Sequence, residues 1–400
     1  MNGLKKVYCR TFQTGLRLAL PFLPYRTPKM IDRVESLPDV LHKQGLTRVL
    51  IVTDQGIEKL GLLAKLTTAL QTGGIVCTIY TGTVANPTTK NVQEAVTLYR
   101  SNRCQALIGM GGGSSIDCAK AVGAVIAKPK QPMSKMKGIL KIMKKIPPLV
   151  AIPTTAGTGS ETTLAAVITD ADTRHKYAIN DFPLIPSYAV LEPKFTLSLP
   201  PSLTAATGMD ALTHAVEAYI GKSTTRDTRN SALTAVKLIF ENLDTAYQDG
   251  SNETARKNML IAAYEAGCAF TKSYVGYVHA VAHSLGGAYN VPHGLANAIL
   301  LPFVLEAYGS SIHKKLHQLA IAAGIATKDT PAAQAAKDFI QAIQEMKKRY
   351  GIPDTVPQLR REDIGKLARH ADKEANPLYP VPVLMDANEL AQFYERLIPH

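Results

Sequence analysis

Short apolar runs rich in β-branched residues alternate with longer amphipathic stretches through the first half of the chain. The apolar runs cover residues 48–53, 75–80, 106–110 and 149–153. The stretches between them, residues 57–70, 89–103 and 115–127, place apolar side chains at helical spacing. This alternation is typical of parallel strands joined by crossover helices. Residues 28–200 are therefore predicted to form an α/β domain.

The pattern changes after the pair Pro200-Pro201, where strand signals nearly vanish. Ala, Leu, Glu and Lys dominate the segments that follow, namely residues 203–220, 230–247 and 253–270. These are strong helix formers, and the apolar positions among them recur at helical spacing. Residues 201–400 are therefore predicted to form an all-helical C-terminal domain.

Residues 1–27 differ from both predicted domains, because basic and apolar residues are interleaved there as in a basic amphipathic helix. A secretory signal is excluded, since the apolar run at residues 18–23 is short, is broken by Pro21 and lacks a small-residue cleavage site. The favoured interpretation of this extension is a helix packed on the protein's own surface. The alternative is a weak contact of the first 25 residues with a membrane surface or a partner.

Composition narrows the class of protein. With 46% apolar and 19% charged residues the chain is expected to be a soluble globular protein. The sequence contains no run of about 18 apolar residues, so no membrane-spanning helix is predicted. Its five cysteines are scattered and form no C-x-x-C pair, which favours reduced thiols and a cytoplasmic location. The net charge of +13 raises the question of nucleic acid, but no binding module accompanies the lysines, so no nucleic-acid partner is expected.

A glycine turn follows the third apolar run directly. Gly111, Gly112, Gly113 and Ser114 stand between the predicted strand and the predicted helix. Backbone N–H groups at such a helix start, together with the helix dipole, suit a pyrophosphate. The spacing is not the G-x-G-x-x-G dinucleotide fingerprint, so a plain tight turn stays open as an alternative.

Two other loops strengthen the nucleotide hypothesis. Asp54 ends the first predicted strand, where a carboxylate can accept hydrogen bonds from an adenosine ribose and would repel a 2′-phosphate, favouring NAD over NADP. Its alternative role is that of a helix N-cap. The loop at residues 154–161 follows the fourth run and is rich in hydroxyl groups. A ligand at the carboxyl ends of parallel strands would contact such a loop.

Histidines with metal-ligand spacing begin the predicted helical domain. Asp210 and His214 are four residues apart on a predicted helix and so share one face. His279 and His283 repeat that spacing, and His293 lies at a turn. Nitrogen and carboxylate donors without thiolates fit ferrous iron or zinc. A metal needs about four protein ligands, so one of these five residues would be left for proton transfer.

Spacing alone does not establish a metal site, because His313 and His317 are also four residues apart, beside two lysines on a helix predicted to be solvent-exposed. Asp210, His214, His279 and His283 differ from that pair because they stand among Ala, Val, Leu and Gly. Burying an unpaired imidazole or carboxylate there would cost roughly 1–3 kcal/mol. A shared metal ion removes that cost, and hydrogen-bonded core histidines are the alternative.

The motifs at residues 109–117, 153–161, 208–217 and 279–302 together resemble those of the iron-containing (group III) alcohol dehydrogenases. The resemblance runs from about residue 30 to the C-terminus. It implies a Rossmann-like α/β NAD-binding domain followed by a helical metal-binding domain, and a homo-oligomer, with a homodimer expected. The first 25 residues exceed the usual family pattern.

The resemblance also implies roles for particular residues. The metal ligands would be Asp210, His214, His279 and His293. Asp210 would also be catalytic, and His283 would lie beside the nicotinamide. Contacts to NAD would come from Asp54, Asn86, Gly112, Gly113, Ser114, Thr154, Thr155, Thr163 and Lys176.

The function implied is that of a metal-dependent alcohol dehydrogenase or aldehyde reductase, an oxidoreductase acting on CH–OH groups. It would move a hydride between a small primary alcohol or diol and NAD, with His283 relaying the proton. A cyclase similar to dehydroquinate synthase, using NAD and a metal with no net redox change, is the alternative. A non-catalytic, membrane-associated scaffold is a different class and would leave the site motifs unexplained.

Overall fold

In a computed structural model that describes residues 1–399, nine strands form two sheets. The strands are β1 (Lys29–Ile31), β2 (Arg48–Val52), β3 (Val76–Tyr80), β4 (Ala106–Gly111), β5 (Gly138–Ile139), β6 (Leu149–Pro153), β7 (Ala165–Thr169), β8 (Lys176–Asn180) and β9 (Tyr188–Val190). The larger sheet has the order β1-β9-β6-β4-β2-β3, and all its neighbouring strands are parallel. The smaller sheet, β5-β8-β7, contains one antiparallel pair.

The central strands of the larger sheet are buried along nearly their whole length. A parallel sheet has helices on both faces, so its strands need apolar side chains at consecutive positions rather than at alternate ones. The runs in β2, β4 and β6 meet that need. The chain steps from β2 outward to β3 and then returns to β4 on the other side. The carboxyl ends of β2 and β4 therefore flank a topological switch point, where ligands of such sheets bind.

Fifteen α-helices complete the described chain. They are α1 (Gly3–Ala19), α2 (Leu37–His42), α3 (Gln55–Lys59), α4 (Leu62–Thr72), α5 (Thr89–Ser101), α6 (Gly113–Ala127), α7 (Pro201–Ile220), α8 (Arg226–Gln248), α9 (Glu253–Ser273), α10 (Tyr277–Tyr289), α11 (His293–Tyr308), α12 (His313–Ala322), α13 (Ala332–Arg349), α14 (Ile364–Ala375) and α15 (Ala387–Glu395). Parallel strands with crossover helices and a helical C-terminal half are confirmed.

The chain divides into two compact units. The sheet unit contains residues 24–199 and 250–260, and the helical unit contains residues 1–23, 200–249 and the described chain from residue 261 onward. The N-terminal helix α1 thus belongs to the helical unit, although it precedes the sheet in sequence. Its polar contacts explain why, since Arg10 and Gln13 donate hydrogen bonds to backbone carbonyls near residue 380.

Two local predictions differ from the structure. The predicted helix 57–70 is divided into α3 and α4, because Gly61 adopts a left-handed conformation with φ of +70°. Residues 160–200, for which the sequence pattern predicted no individual element, contain β7, β8 and β9. Short strands interrupted by prolines give too little periodicity to be recognised in a sequence.

Within residues 1–399, the helical stretch His293–Ala322 is the one whose length and composition would suffice to cross a membrane. No uninterrupted apolar run marked it in the sequence, because polar residues such as Asn297 and Glu306 lie within it. Of its most apolar window, 61% is buried. A buried core helix has the same composition, so this feature is weak support for a membrane span.

Candidate functional site

Four side chains from three helices of the helical unit converge on one point. Asp210 and His214 lie one turn apart on α7, His279 lies on α10, and His293 is the first residue of α11. One donor atom from each side chain lies within 4.8 Å of the donor atoms of the other three. The sequence spacing paired Asp210 with His214, and the packing of the helices brings His279 and His293 to the same point.

A glycine allows α11 to begin close to α7. A Cβ atom at Gly294 would lie 2.6 Å from the carbonyl oxygen of Ala206 and 3.3 Å from Cβ of Asp210. The first distance is shorter than real Cβ contacts allow, and the oxygen belongs to the backbone and cannot move aside. The absence of a side chain at residue 294 therefore lets the neighbouring His293 reach the same point as Asp210.

A buried carboxylate fixes the orientation of the His279 ring. Glu217, two turns after Asp210 on α7, lies 2.6 Å from Nδ1 of His279 and also accepts the backbone N–H groups of Gly276 and Val278. An Nδ1 proton donated to Glu217 leaves Nε2 as the lone-pair atom that faces the other three converging side chains. Carboxylates orient metal-binding histidines in this way.

The contacts of Asn297 show where the candidate ligand atoms point. Its side-chain nitrogen lies 2.7 Å from Oδ1 of Asp210 and 3.1 Å from Nε2 of both His279 and His293. One carboxylate oxygen and two ring nitrogens thus point their lone pairs at a single small volume. Such a set of converging acceptors fits a divalent cation of the kind that nitrogen and oxygen ligands hold.

The electrostatics favour a neutral ring at His279. Burial lowers the pKa of His279 well below its ordinary value, and the neighbouring His214, His293 and His283 lower it further. The His214 ring stacks on Phe270 with centroids 4.2 Å apart, which fixes its plane. A neutral ring is the protonation state in which a histidine binds a metal.

His283 lies next to the cluster but outside it. Its ring stacks on that of His293 with centroids 5.2 Å apart, and its Nδ1 lies 2.6 Å from Oε1 of Glu374. The same carboxylate oxygen accepts a hydrogen bond from Tyr379 at 2.8 Å. The expected burial of His283 is wrong, since its side chain is 42% exposed. The apolar residues around it in sequence face the core, while the imidazole faces outward.

In the sheet unit, the glycine turn and the hydroxyl-rich loop lie side by side. Gly111 pairs with Pro153 in the ladder between β4 and β6, and the Thr154 N–H donates to the Gly111 carbonyl at 3.0 Å. Gly111 needs its glycine, because φ is +143° and a Cβ atom would lie 2.6 Å from Oγ of Ser115. Gly113 then begins α6, whose N-terminus faces this turn.

Asp54 occupies the end of β2 beside this turn and has two partners in the chain. Its Oδ1 accepts the Ile57 N–H at 3.1 Å as the N-cap of α3, and its Oδ2 accepts the Ser115 hydroxyl at 3.1 Å. The N-cap role that the sequence left open is therefore present. Each oxygen keeps a further lone pair, so the contact to a ribose stays a prediction.

Asn86, Lys176 and Thr163 lie in two different settings. The Lys176 ammonium donates to Oδ1 of Asn86 at 2.7 Å, which brings two of the predicted NAD contacts together on the surface. Thr163, by contrast, is buried, and its hydroxyl accepts a hydrogen bond from Lys120 at 2.8 Å. Lys120 also donates to Ser160 at 3.2 Å, so it holds the loop from beneath.

Several residues with these supporting roles were not identified from sequence. Glu217 and Asn297 carried a weak signal, since they follow Asp210 and His293 at helical spacing and share their faces. Lys120 and Glu374 carried none. Their partners are distant in sequence, and only the fold brings them together.

A parallel-sheet unit with a glycine turn at a helix start, and a helical unit with three imidazoles and a carboxylate around one point, define a nucleotide-linked, metal-dependent enzyme. Comparison with known proteins narrows this class. The family model described as iron-containing alcohol dehydrogenase matches residues 30–193, and that of the family's C-terminal part matches residues 204–398. The chain belongs to the iron-containing alcohol dehydrogenase family.

Relatives of established name agree with this assignment. The 1,3-propanediol dehydrogenase of Citrobacter freundii is 37% identical over 356 residues, covering 88% of this chain and 92% of that protein. Alcohol dehydrogenase 4 of Schizosaccharomyces pombe is 40% identical over 344 residues, covering 84% and 80%. The crystal structure of sulfoacetaldehyde reductase from Bifidobacterium kashiwanohense in complex with NAD+ has a TM-score of 0.83 at 30% identity, covering 93% and 98%.

The chain is accordingly an NAD-dependent oxidoreductase that acts on the CH–OH group of small alcohols and on the corresponding aldehydes. Its cofactors are NAD and ferrous iron.

Proposed function

We propose that the enzyme interconverts a small primary alcohol or diol and its aldehyde, with ferrous iron held by Asp210, His214, His279 and His293. The observation that carries this proposal is the convergence of their four donor atoms within 4.8 Å of one another. The acceptor atoms of Asp210, His279 and His293 point at one small volume beside Asn297, which supports three of these four ligands. Asp210, as the anionic member, would offset part of the ion's charge at the reacting centre.

When bound, iron would supply Lewis acidity to the substrate oxygen, and NAD would exchange the hydride. The chain's own residues prepare the site for that chemistry. Glu217 keeps the lone pair of His279 turned toward the cluster. Asn297 packs against the same three ligand atoms, is itself fully buried, and restricts the space at the centre.

His283 is proposed to carry the proton between the substrate and solvent. Two features support the role, namely a ring partly exposed to solvent and an Nδ1 held by Glu374. We expect His283→Asn to lower kcat by about a hundredfold, the usual contribution of a general acid or base, while the iron content stays unchanged. Loss of iron in this variant would contradict the role.

The sheet unit is proposed to bind NAD at the carboxyl ends of β2 and β4. The topological switch point and the N-terminus of α6 support this location. The proposed contacts are Asp54, Asn86, Gly112, Gly113, Ser114, Thr154, Thr155, Thr163 and Lys176. Because the Thr163 hydroxyl is bonded to Lys120, its contribution would come through its backbone or through the shape of the loop.

The cyclase alternative has no support, since no finding favours a reaction without net redox change. For the native environment we propose the cytoplasm and a homodimer. The free thiols of all five cysteines support a reducing compartment. Sedimentation velocity on the purified enzyme tests the dimer, and a monomer at micromolar concentration would refute it.

The experiment that tests the proposed function is anaerobic reconstitution of the metal-free enzyme with ferrous iron, with zinc as a parallel arm. Absorbance of NADH is then followed across a panel of primary alcohols, diols and aldehydes. We expect iron-dependent turnover with at least one small alcohol or diol. The proposal fails if the iron-loaded enzyme binds NAD but oxidises none of the alcohols and reduces none of the aldehydes.

A further inference from the structure

The N-terminal helix α1 packs on the helical unit through its polar side. The Arg10 guanidinium donates to the carbonyl oxygens of Val381 and Pro382 at 2.7 and 2.8 Å. The Gln13 amide, which is buried, donates to the carbonyl oxygen of Tyr379 at 2.7 Å. Specific polar contacts therefore fix the rotation of the helix about its axis.

This rotation turns apolar side chains outward. The exposed fractions are 87% for Leu4, 65% for Val7, 59% for Tyr8 and 69% for Leu18. Positions 4, 7, 8 and 18 fall on one side of a helix, and we call them the outer stripe. A surface helix ordinarily buries its apolar side and exposes its polar side, so α1 is reversed. Exposed apolar side chains gathered on one side of a surface helix mark a surface that another body covers.

The charges that α1 and the two residues before it carry are all positive, and two of them, the N-terminal ammonium and that of Lys5, are paired with carboxylates of the helical unit. Lys6 and Arg17 are exposed on the same helix, and the first carboxylate side chain in the chain is that of Asp32. At the end of α1, Arg17 lies near three further cations of the helical unit, Lys222, Arg229 and Lys315, which we call with Arg17 the cationic cluster.

The cationic cluster is under mutual repulsion. The pKa of Lys315 is lowered to about 8, first by burial and then by the charges of Lys222, Arg229 and Arg17. Lys222 has its own pKa lowered by burial and by Arg10. Like charges gathered in this way attract an anionic surface.

We propose that α1 docks the enzyme on an anionic lipid surface, with the outer stripe at the boundary between headgroups and acyl chains and the cationic cluster on the headgroups. An amphipathic helix with cations beside an apolar side binds lipid in this manner. A second copy of the chain is a poorer occupant, because joining two such surfaces would oppose their cations. With few apolar side chains in the stripe, the attachment is reversible. The inference is independent of the catalytic proposal.

The test uses the full chain and flotation with phosphatidylcholine vesicles that contain or lack phosphatidylglycerol. We expect binding to the anionic vesicles alone, weakened by high salt. Leu4→Glu/Val7→Glu should lower the bound fraction by about tenfold or more, because two apolar side chains no longer enter the lipid. The matched control is Ile139→Glu/Met143→Glu, which adds the same charge at two exposed apolar residues in a lysine-rich segment of the sheet unit.

Retention of binding by the control variant, together with its loss in Leu4→Glu/Val7→Glu, would support the proposal. Equal binding to neutral vesicles, equal loss in both variants, or no loss in the α1 variant would overturn it. Sedimentation velocity of the same proteins tests whether the outer stripe instead joins two copies of the chain. If the α1 variant dissociates an oligomer and the wild type ignores vesicles, the stripe is an interface between copies and the lipid proposal is wrong.

Discussion

Nδ1 of His279 and Oε2 of Glu217 lie 2.6 Å apart in the buried interior of the helical unit. The carboxylate also accepts two backbone N–H groups at the start of α10, so it holds both the ring and the helix that carries it. Burial raises the pKa of Glu217 to about 7, and those hydrogen bonds act in the opposite direction. The orientation of His279, a proposed metal ligand, thus depends on Glu217, which is not itself one of the four proposed ligands.

We expect Glu217→Gln to weaken iron binding by about tenfold to a hundredfold, since the amide no longer fixes the tautomer of His279. Anaerobic titration with ferrous iron against a competing chelator measures the affinity. Glu306→Gln is the matched control, because Glu306 is a partly exposed residue of α11 whose partner is Arg396. Equal iron affinities in the wild type and Glu217→Gln would refute the orienting role.

The close approach of α11 to α7 leads to a second prediction. Gly294→Ala should destabilise the protein by about 1–3 kcal/mol, because its Cβ would meet the backbone oxygen of Ala206, and it should reduce iron occupancy. Gly287→Ala, where a Cβ would meet nothing within 4 Å, should leave iron binding intact and stability unchanged or slightly higher. Urea unfolding and metal analysis decide the matter. Similar behaviour of the two variants would contradict the packing argument.

The third prediction concerns the buried lysine beneath the nucleotide loop. Lys120→Met should cost on the order of 3 kcal/mol, because Asp117, Ser160 and Thr163 lose a common buried partner. It should also raise the KM for NAD, since the loop at residues 154–163 loses its support. Chemical denaturation and steady-state kinetics measure the two effects. Unchanged stability together with an unchanged KM would show that Lys120 does not hold the loop.

The same variant has a pH dependence of known sign. Burial lowers the pKa of Lys120 to about 8 from an ordinary value of 10.5, so the folded protein releases this proton before the unfolded chain does. Lys120 therefore contributes increasing stability as pH rises from about 8 toward 10.5. The stability difference between wild type and Lys120→Met should widen over that range. A difference that narrows would contradict a buried lysine.

Much of this fold could be predicted from sequence because its pattern is strong and local. β6 coincides with the predicted run at residues 149–153, and α7 begins two residues before its predicted start. The short strands β1 and β9 could not be found, since each has three residues and gains its stability from pairing. The reversed orientation of α1 was also hidden, because it depends on carbonyl groups contributed by residues 379–382.

The site divides in the same way. Asp210, His214, His279 and His293 could be selected because polar residues in apolar surroundings at helical spacing are conspicuous. The residues that hold the site's side chains in place could not be selected, because their partners are distant in sequence. Glu374 lies 91 positions from His283, and Lys120 lies 43 positions from Thr163. Asp54 was ambiguous for a physical reason, since an acceptor at a strand end serves a helix cap and a ribose equally well.

The fourth prediction concerns the choice of nucleotide. The wild type should use NAD far more efficiently than NADP, because the charge of Asp54 opposes a 2′-phosphate. Asp54→Asn keeps an equally good N-cap for α3 while removing the charge, so stability should hold and relative kcat/KM with NADP should rise about tenfold. Initial rates with both nucleotides measure the ratio. Comparable efficiency of the wild type with NADP would exclude this role for Asp54.

We propose that one carboxylate and three imidazoles of the helical unit hold a single iron ion. Metal analysis of anaerobically reconstituted protein decides whether they do. We predict one iron per chain in the wild type, none retained by His279→Ala after desalting, and full retention by His317→Ala, whose histidine on α12 has the same four-residue spacing from a partner. A full equivalent of iron in His279→Ala would contradict the account.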